Sequence, residues 1–362
     1  MNPRPMELWF AAAMLLSLAV PCRAQRSMPW EFEFHGGGGF VSDPALDGTS
    51  NLPAPGAPFT TTVGTTSRKI PSWYFGDGAT LLNQVNAAVG VGANITPLDP
   101  VLRSSMINLP SSTSVGLRLS RAISRRFAAE ATFDYNFARW QLNAPALAGV
   151  EASRASFLSA FNALIATSAG SLQNPSVTSG SGHVDQQGRQ TFTTGALNIN
   201  LKTTGKLIPY ATAGAGMKVN VGDTPSVSLA GIYQFQILGF YPVNEHDLVT
   251  AKSSVDNKFV GVVGGGVKYF FSRRWGIRVD VRTYISRRVV ATSLNATPTT
   301  LTASQPQGAT ATFTTPSVQF SNNIAIGPSS LGLPGVTNFR TFSGDGTESV
   351  VNVSGGVIVR FR

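Results

Sequence analysis

Cysteine is all but missing from this chain. The only one among 362 residues is Cys22, which lies in an N-terminal leader, so no disulfide framework holds the remainder. Histidine is nearly as scarce. His35, His183 and His246 are widely separated and no two have metal-ligand spacing, so the sequence calls for no metal and no cofactor. A barrel hydrolase would want a serine or aspartate beside a histidine oriented by a carboxylate, and nothing in the sequence selects such a set. Charged residues make up 13% of the chain, against roughly 25% in soluble domains. Past the leader no stretch approaches the ~18 uninterrupted apolar residues of a membrane-spanning helix, which argues against a helical inner-membrane protein.

The leader itself is informative. Arg4 precedes the apolar run Leu8 to Val20, and Cys22-Arg23-Ala24 follows it. This is the pattern of a secretory signal peptide cut after Ala24, too short for a spanning helix, and it leaves residues 25–362 as one exported unit. Ala19-Val20-Pro21-Cys22 also has the outline of a lipoprotein box, although proline before the cysteine fits it poorly. The formal net charge is +10, and losing Arg4, Arg23 and Glu7 leaves +9. A basic balance can mean nucleic acid, but no lysine/arginine run or base-stacking motif accompanies it, and an exported chain has no nucleic-acid partner.

What the sequence does contain is a rhythm. Eight short segments alternate apolar and polar residues: Trp30 to Val41, Thr113 to Ile123, Phe127 to Phe137, Thr191 to Lys202, Leu207 to Val219, Phe259 to Phe271, Trp275 to Ile285 and Val350 to Phe361. Three connections are tight: Ser124 to Arg126, the stretch containing Gly205, and Ser272 to Arg274. The others are long, running over about 42–112, 138–190, 220–258 and 286–349. Short turns on one side and long excursions on the other are how an outer-membrane β-barrel is written. The expected fold is therefore all-β, an eight-stranded antiparallel transmembrane β-barrel with long extracellular loops containing short helices. Ten strands remain open if the fourth long connection adds a hairpin.

Period-two alternation assigns the faces. Trp275, Ile277, Val279, Val281 and Ile285 share one side of the seventh segment, while Arg278, Asp280, Arg282 and Tyr284 share the other. With the apolar side against lipid, the charges line the lumen. The lumen candidates are Glu31, Glu33, Arg118, Glu130, Asp134, Lys202, Lys268, Arg278, Asp280, Arg282 and Arg360, with His35 on the same side. An eight-stranded barrel is just wide enough for side chains to fill, so these are expected to pair as a network, the alternative being a charged path for a small solute. The cations of the short turns, Arg125, Arg126, Lys206, Arg273 and Arg274, are either simply solvated or in contact with anionic head groups of the inner leaflet.

The long connections are not featureless. In the first, Asp77 or Thr80 is placed to cap a short helix carrying Leu81, Leu82 and Val85 on one side. In the second, Phe157, Phe161, Leu164 and Ile165 recur at helical spacing, predicting an amphipathic helix over about 146–167. The third has an aromatic cluster at Tyr233, Phe235, Phe240 and Tyr241. The fourth is rich in serine and threonine and suits a hairpin extending the wall above the membrane. Gly76 to Gly78 and Ser343 to Gly346 read as turns, and the glycine run Gly36 to Gly39 as a place where the wall bends or packs closely.

The segments Gly264 to Ser286 (GGGVKYFFSRRWGIRVDVRTYIS) and Val350 to Phe361 (VVNVSGGVIVRF) resemble the small outer-membrane β-barrel superfamily that includes OmpA-type and OmpW-type barrels. The resemblance implies residence in the outer membrane of a Gram-negative-type bacterium, contact with outer-membrane lipids and handling by the barrel-assembly machinery during insertion. A peptidoglycan-binding domain of the OmpA kind is not expected, since this sequence runs only to the last strand, and Arg362 stands after Phe361 where such barrels usually end on the aromatic. The expected function is a non-enzymatic scaffold displaying its loops to an extracellular ligand or surface partner. The alternative is a narrow channel for small solutes, and a third reading is an enzyme acting on outer-leaflet lipid.

Overall fold

A strand that crosses hydrocarbon has to pair on both edges, because no water is there to satisfy its N–H and C=O groups. In the computed structural model, which describes residues 29–57, 68–170, 172–237, 241–300, 318–320 and 336–361, that requirement is met by a closed ring. Its members are β1 (Trp30–Ser42), β5 (Ser112–Ala122), β6 (Phe127–Leu142), β8 (Gln187–Asn200), β9 (Leu207–Val221), β12 (Lys258–Phe270), β13 (Trp275–Thr300) and β15 (Val336–Phe361). Each is antiparallel to its neighbours in that order, and β15 returns to β1 with Trp30 opposite Phe361 and Ser42 opposite Ser349. The ring has eight strands, as the rhythm of the sequence indicated.

The exterior of this ring is apolar and uncovered. Phe34 is 59% exposed, Val279 58% and Phe259 76%, while the alternate residues Glu33, Asp280 and Val260 are buried. No soluble fold of this size leaves such a continuous apolar surface bare; lipid acyl chains are its solvent, and the fold is a transmembrane β-barrel. Two of the short turns are closed in the same way. Ser124 Oγ accepts from the N–H groups of Arg126 and Phe127 at 3.2 and 3.0 Å, and Ser272 Oγ accepts from those of Arg274 and Trp275 at 3.2 and 2.9 Å.

On the opposite side the wall does not stop at the membrane. β13 and β15 are 26 residues each, and at ~3.3 Å per residue such a strand far exceeds a hydrocarbon core of about 30 Å. Their upper halves pair with each other, and the upper half of β13 also pairs with β11 (Tyr241–Val255). β10 (Ser226–Ile237) and β7 (Leu172–Val184) extend that sheet, and β2 (Asp47–Ser50) adds to β15. The short pieces are β3 (Arg68–Ile70), parallel to β14 (Val318–Phe320), and β4 (Ile107–Asn108), which pairs with β6. The described residues of the fourth long connection thus lengthen existing strands, and the ring closes without a ninth and tenth. Strands β6 and β8 also run past their expected ends, to Leu142 and from Gln187. Gly76 to Gly78 proves to be the start of a helix, and Ser343 to Gly346 part of β15, so neither is a turn.

Among the described residues three helices complete a cap: α1 (Gly76–Ala88), α2 (Asp99–Leu102) and α3 (Ala144–Thr167). The α3 helix begins because the Asn143 side chain accepts from the Ala146 N–H at 2.9 Å, with Pro145 in the first turn, where a missing N–H costs nothing. Its Phe157, Phe161 and Ile165 are buried as the spacing predicted. For α1 the expectation fails in two respects. Its N-terminus is capped from α2, by Asp99 Oδ2 accepting from the Gly76 N–H at 2.8 Å, and not by Asp77 or Thr80. Leu82 is buried but Val85 is exposed, because the helix packs by a narrower face.

Aromatic rings run through the cap core: Tyr74 on Phe157 at 4.9 Å, Phe157 on Phe161 at 4.6 Å and Phe161 on Tyr233 at 4.4 Å. A Cβ at Gly231 would lie 2.5 Å from the Phe157 ring, so only glycine lets the sheet approach α3 there. Truncating the ring at the centre of this stack, Phe157→Ala, should cost the cap about 3–5 kcal/mol. The expected result is rapid protease cleavage of the α3 region in a barrel that still migrates as a compact, heat-modifiable band. A cap as resistant as wild type would refute the packing described.

Candidate functional site

The charged side chains that alternation aims inward meet at the centre of the barrel. Arg118 Nη1 lies 2.8 Å from Glu33 Oε1 and 3.1 Å from Asp280 Oδ2. Arg278 Nη1 lies 3.0 Å from Glu33 Oε2 and 2.8 Å from Glu130 Oε2. Arg282 completes the set, with Nη2 2.6 Å from Glu130 Oε1 and Nε 3.0 Å from Asp280 Oδ2. Three guanidiniums and three carboxylates therefore alternate, all of them buried. Neutral groups add further bonds to the carboxylates: Tyr210 donates to Asp280 at 2.6 Å, Asn198 to Glu130 at 2.8 Å and Ser354 to Asp280 at 2.6 Å. Residues from β1, β5, β6, β8, β9, β13 and β15 are tied into one cross-brace.

Layers lie above and below it. Toward the short turns, Glu31 takes Lys268 at 2.6 Å and Arg360 at 2.7 Å. Beside the brace, Asp134 accepts from Tyr284 at 2.6 Å and lies 2.6 Å from His35 Nε2. Gly116 makes this possible, since a Cβ there would sit 2.5 Å from both His35 Nε2 and Asp134 Oδ1. Next comes an apolar layer of Phe192, Val260, Val262, Tyr284 and Val350. Above that, Lys218 and Arg288 both pair with Glu348, Arg288 also with Asp43, and the Arg288 guanidinium lies over the Trp140 ring at 5.0 Å. A cavity of about 440 Å³ opens beside this upper layer, between Asp43, Arg103, Asn108, Arg288 and Phe342.

Of the lumen residues expected from sequence, the structure brings together Glu31, Glu33, Arg118, Glu130, Asp134, Lys268, Arg278, Asp280, Arg282 and Arg360, with His35 among them. Lys202 is the exception. The β8 strand ends at Asn200, so alternation no longer governs the residue two places on, and Lys202 is exposed in the turn. The reading missed Tyr210 and Lys218, although both sit on the inward parity of β9, and it placed Arg288 and Glu348 in a loop because the strands were ended too early. The expected cleavage site at Ala24 lies outside the described residues.

A second buried polar group latches the cap. Asp247 Oδ2 accepts from the Ser72 hydroxyl at 2.8 Å and the Trp73 N–H at 2.7 Å, and Glu245 accepts from Tyr233, which itself takes the Trp73 indole N–H at 3.0 Å. These bonds fasten the first long connection to the β10–β11 hairpin. Burial pushes the Asp247 carboxyl up to about 7, with the nearby Glu245 adding to it, and burial raises Glu245 as well.

No family model and no curated protein sequence matches this chain. Among solved structures it is similar to the outer membrane protein OprG from Pseudomonas aeruginosa, at 10% identity over 93% of this chain and 98% of that one, with a TM-score of 0.40. It is also similar to the outer membrane protein AlkL determined in lipid bilayers, at 11% identity over 95% of each chain and a TM-score of 0.36. A third is the toluene transporter TodX of P. putida, at 9% identity over 94% of this chain and 91% of that one, with a TM-score of 0.18. Likeness at this level assigns no substrate. The assignment as an outer-membrane β-barrel rests on the closed ring and its lipid-facing exterior.

Two outcomes test the site. Glu130→Ala strips the shared counter-charge from Arg278 and Arg282, and breaking a buried ion pair by removing one partner costs about 3–5 kcal/mol. The urea midpoint for unfolding in lipid should fall accordingly, whereas Lys202→Ala should leave it within about 0.5 kcal/mol. For the latch, a carboxyl whose folded pKa lies above its unfolded value stabilises the fold only while protonated. Cap stability should therefore decline as pH rises from about 4 to about 7 and then level off. Proteolysis of the first long connection should accelerate over that window, and Asp247→Asn, which keeps the acceptor, should flatten the Asp247 part of the profile.

Proposed function

We propose that this protein is a non-enzymatic scaffold of the outer membrane of a Gram-negative-type bacterium, whose barrel anchors a folded cap for contact with a ligand or partner outside the cell. The observation that carries the reading is the cross-brace: Arg118, Arg278 and Arg282 are buried against Glu33, Glu130 and Asp280 across the lumen. A water-filled pore would leave these side chains solvated on its walls. Here they span it, and the apolar layer at Phe192 and Tyr284 lies next to them, with ring centroids 4.9 Å apart. The eight-strand ring supports a place beside the OmpA-type and OmpW-type barrels, and the folded cap supports display as its role.

Planar-bilayer recording decides against the main alternative. The purified barrel should show no steady single-channel conductance. A steady conductance that disappears when Arg278 or Arg282 is neutralised would overturn the scaffold reading and select a narrow channel for small solutes.

A further inference from the structure

Charge is distributed unevenly along this chain. Past residue 24, the four long connections and the lumen-facing positions hold seventeen carboxylates, twelve and five respectively, and seventeen cations, eleven and six respectively. They cancel. What remains is nine cations and no carboxylate: Arg26 and Arg362 near the termini, Arg121 on the outer face of β5, and six in the short turns, Arg125, Arg126, Lys202, Lys206, Arg273 and Arg274. All six turn cations are exposed, and among the described residues none has a carboxylate partner.

The turns are built alike. Ser124-Arg125-Arg126-Phe127 and Ser272-Arg273-Arg274-Trp275 are the same motif, each closed by its serine accepting two N–H groups. Their backbones are further fixed by neighbouring strands: Asn200 N–H donates to the Arg126 carbonyl at 2.8 Å and Arg360 N–H to the Arg274 carbonyl at 2.7 Å. Each pair of arginines is bracketed by bare apolar side chains, Ile123 with Phe127 and Phe271 with Trp275, and the two lysines by Leu201 and Leu207. The triplet Ser286-Arg287-Arg288 at the other end of the barrel gives the contrast. There Arg287 pairs with Asp345, and Arg288 with Asp43 and Glu348.

We propose that the short-turn rim is a binding surface for the phosphate head groups of anionic phospholipids in the periplasmic leaflet. The bracketing apolar residues belong to the lipid-facing belt, so the edge of the hydrocarbon falls at these turns and the cations stand at head-group depth. Guanidinium pairs match phosphate oxygens in a bidentate fork, and each cation near an anionic surface gains enough to favour it about fivefold. A zwitterionic head group offers no such net attraction. A soluble acidic partner would have no use for exposed phenylalanine and tryptophan beside each arginine pair.

The test uses the full-length barrel reconstituted in vesicles of equal parts phosphatidylglycerol and phosphatidylcholine, then released for native mass spectrometry of bound lipid. Phosphatidylglycerol adducts should exceed the bulk ratio by about fivefold or more, and about 1 M salt before release should erase the excess. The variant R125Q/R126Q/R273Q/R274Q should return to the bulk ratio while remaining heat-modifiable, and R125K/R126K/R273K/R274K should retain the excess. Adducts at the bulk ratio in wild type, an excess insensitive to salt, or an unchanged excess in the glutamine variant would each overturn the proposal. The scaffold reading stands or falls separately, on conductance.

Discussion

Closure of the ring between β1 and β15 is the constraint from which the rest follows. Thirteen residue pairs join the first strand to the last, and without them two strand edges would face hydrocarbon with their polar groups unsatisfied, each at a cost of several kcal/mol. Once the ring is shut, side chains have only two places to go. Apolar ones meet lipid, and the charged ones of the opposite parity are driven into a space too narrow for water to solvate them all. The ion network is thus a consequence of closing a small barrel, and its order follows from which strands are neighbours. Glu33 stands opposite Arg118 on β5, and Arg278 opposite Gly356, whose missing side chain leaves room for the Glu33 carboxylate: an added Cβ there would lie 2.6 Å from Glu33 Oε1.

A buried network of this kind is not primarily a source of stability. Removing charges from water costs nearly as much as their mutual attraction returns, and apolar residues of the same volume often serve as well. What the alternating arginines and carboxylates add is specificity of register. A slip of one residue in β1, β5, β6 or β13 would turn a charge of the brace toward lipid, at a cost of about 2–4 kcal/mol for an arginine or lysine at the bilayer midplane, and a slip in β8, β9 or β15 would withdraw a hydrogen bond from it. Seven ring strands contribute to the brace, so the register of nearly the whole barrel is checked at one place.

The barrel was legible in the sequence because its signal is local. Trp275 to Ile285 alternates so regularly that faces, partners and the lipid side all follow from reading every second residue. The limits of that reading are equally physical. Alternation persists in β13 and β15 beyond the membrane, but there both faces can be polar or packed against other strands, so Arg288 and Glu348 carry no mark that distinguishes a wall from a loop. Lys202 failed for the converse reason, since parity was carried two residues past the last paired one. The cap was legible only in its helix: Phe157 and Phe161 show helical spacing, whereas the approach of Gly231 to Phe157, the capping of α1 by Asp99 and the seat of Asp247 under Ser72 are set by segments far apart in the chain.

Charge balance gives the cap and the lumen a common property that their different architectures conceal. Both bury ionisable groups, and in each the cations and carboxylates nearly match in number, so neither presents a strong net field to the water or lipid around it. A lumen with only one more cation than carboxylates offers little electrostatic steering to a charged solute, which accords with the scaffold proposed above. The six exposed turn cations stand on the one surface that needs neither a packed interior nor a solute. Two serine-closed turns of identical sequence hold four of those charges at fixed positions on the rim, where a flexible loop of the same composition would let them disperse. That rigidity is what turns a basic composition into a surface with a preferred neighbour.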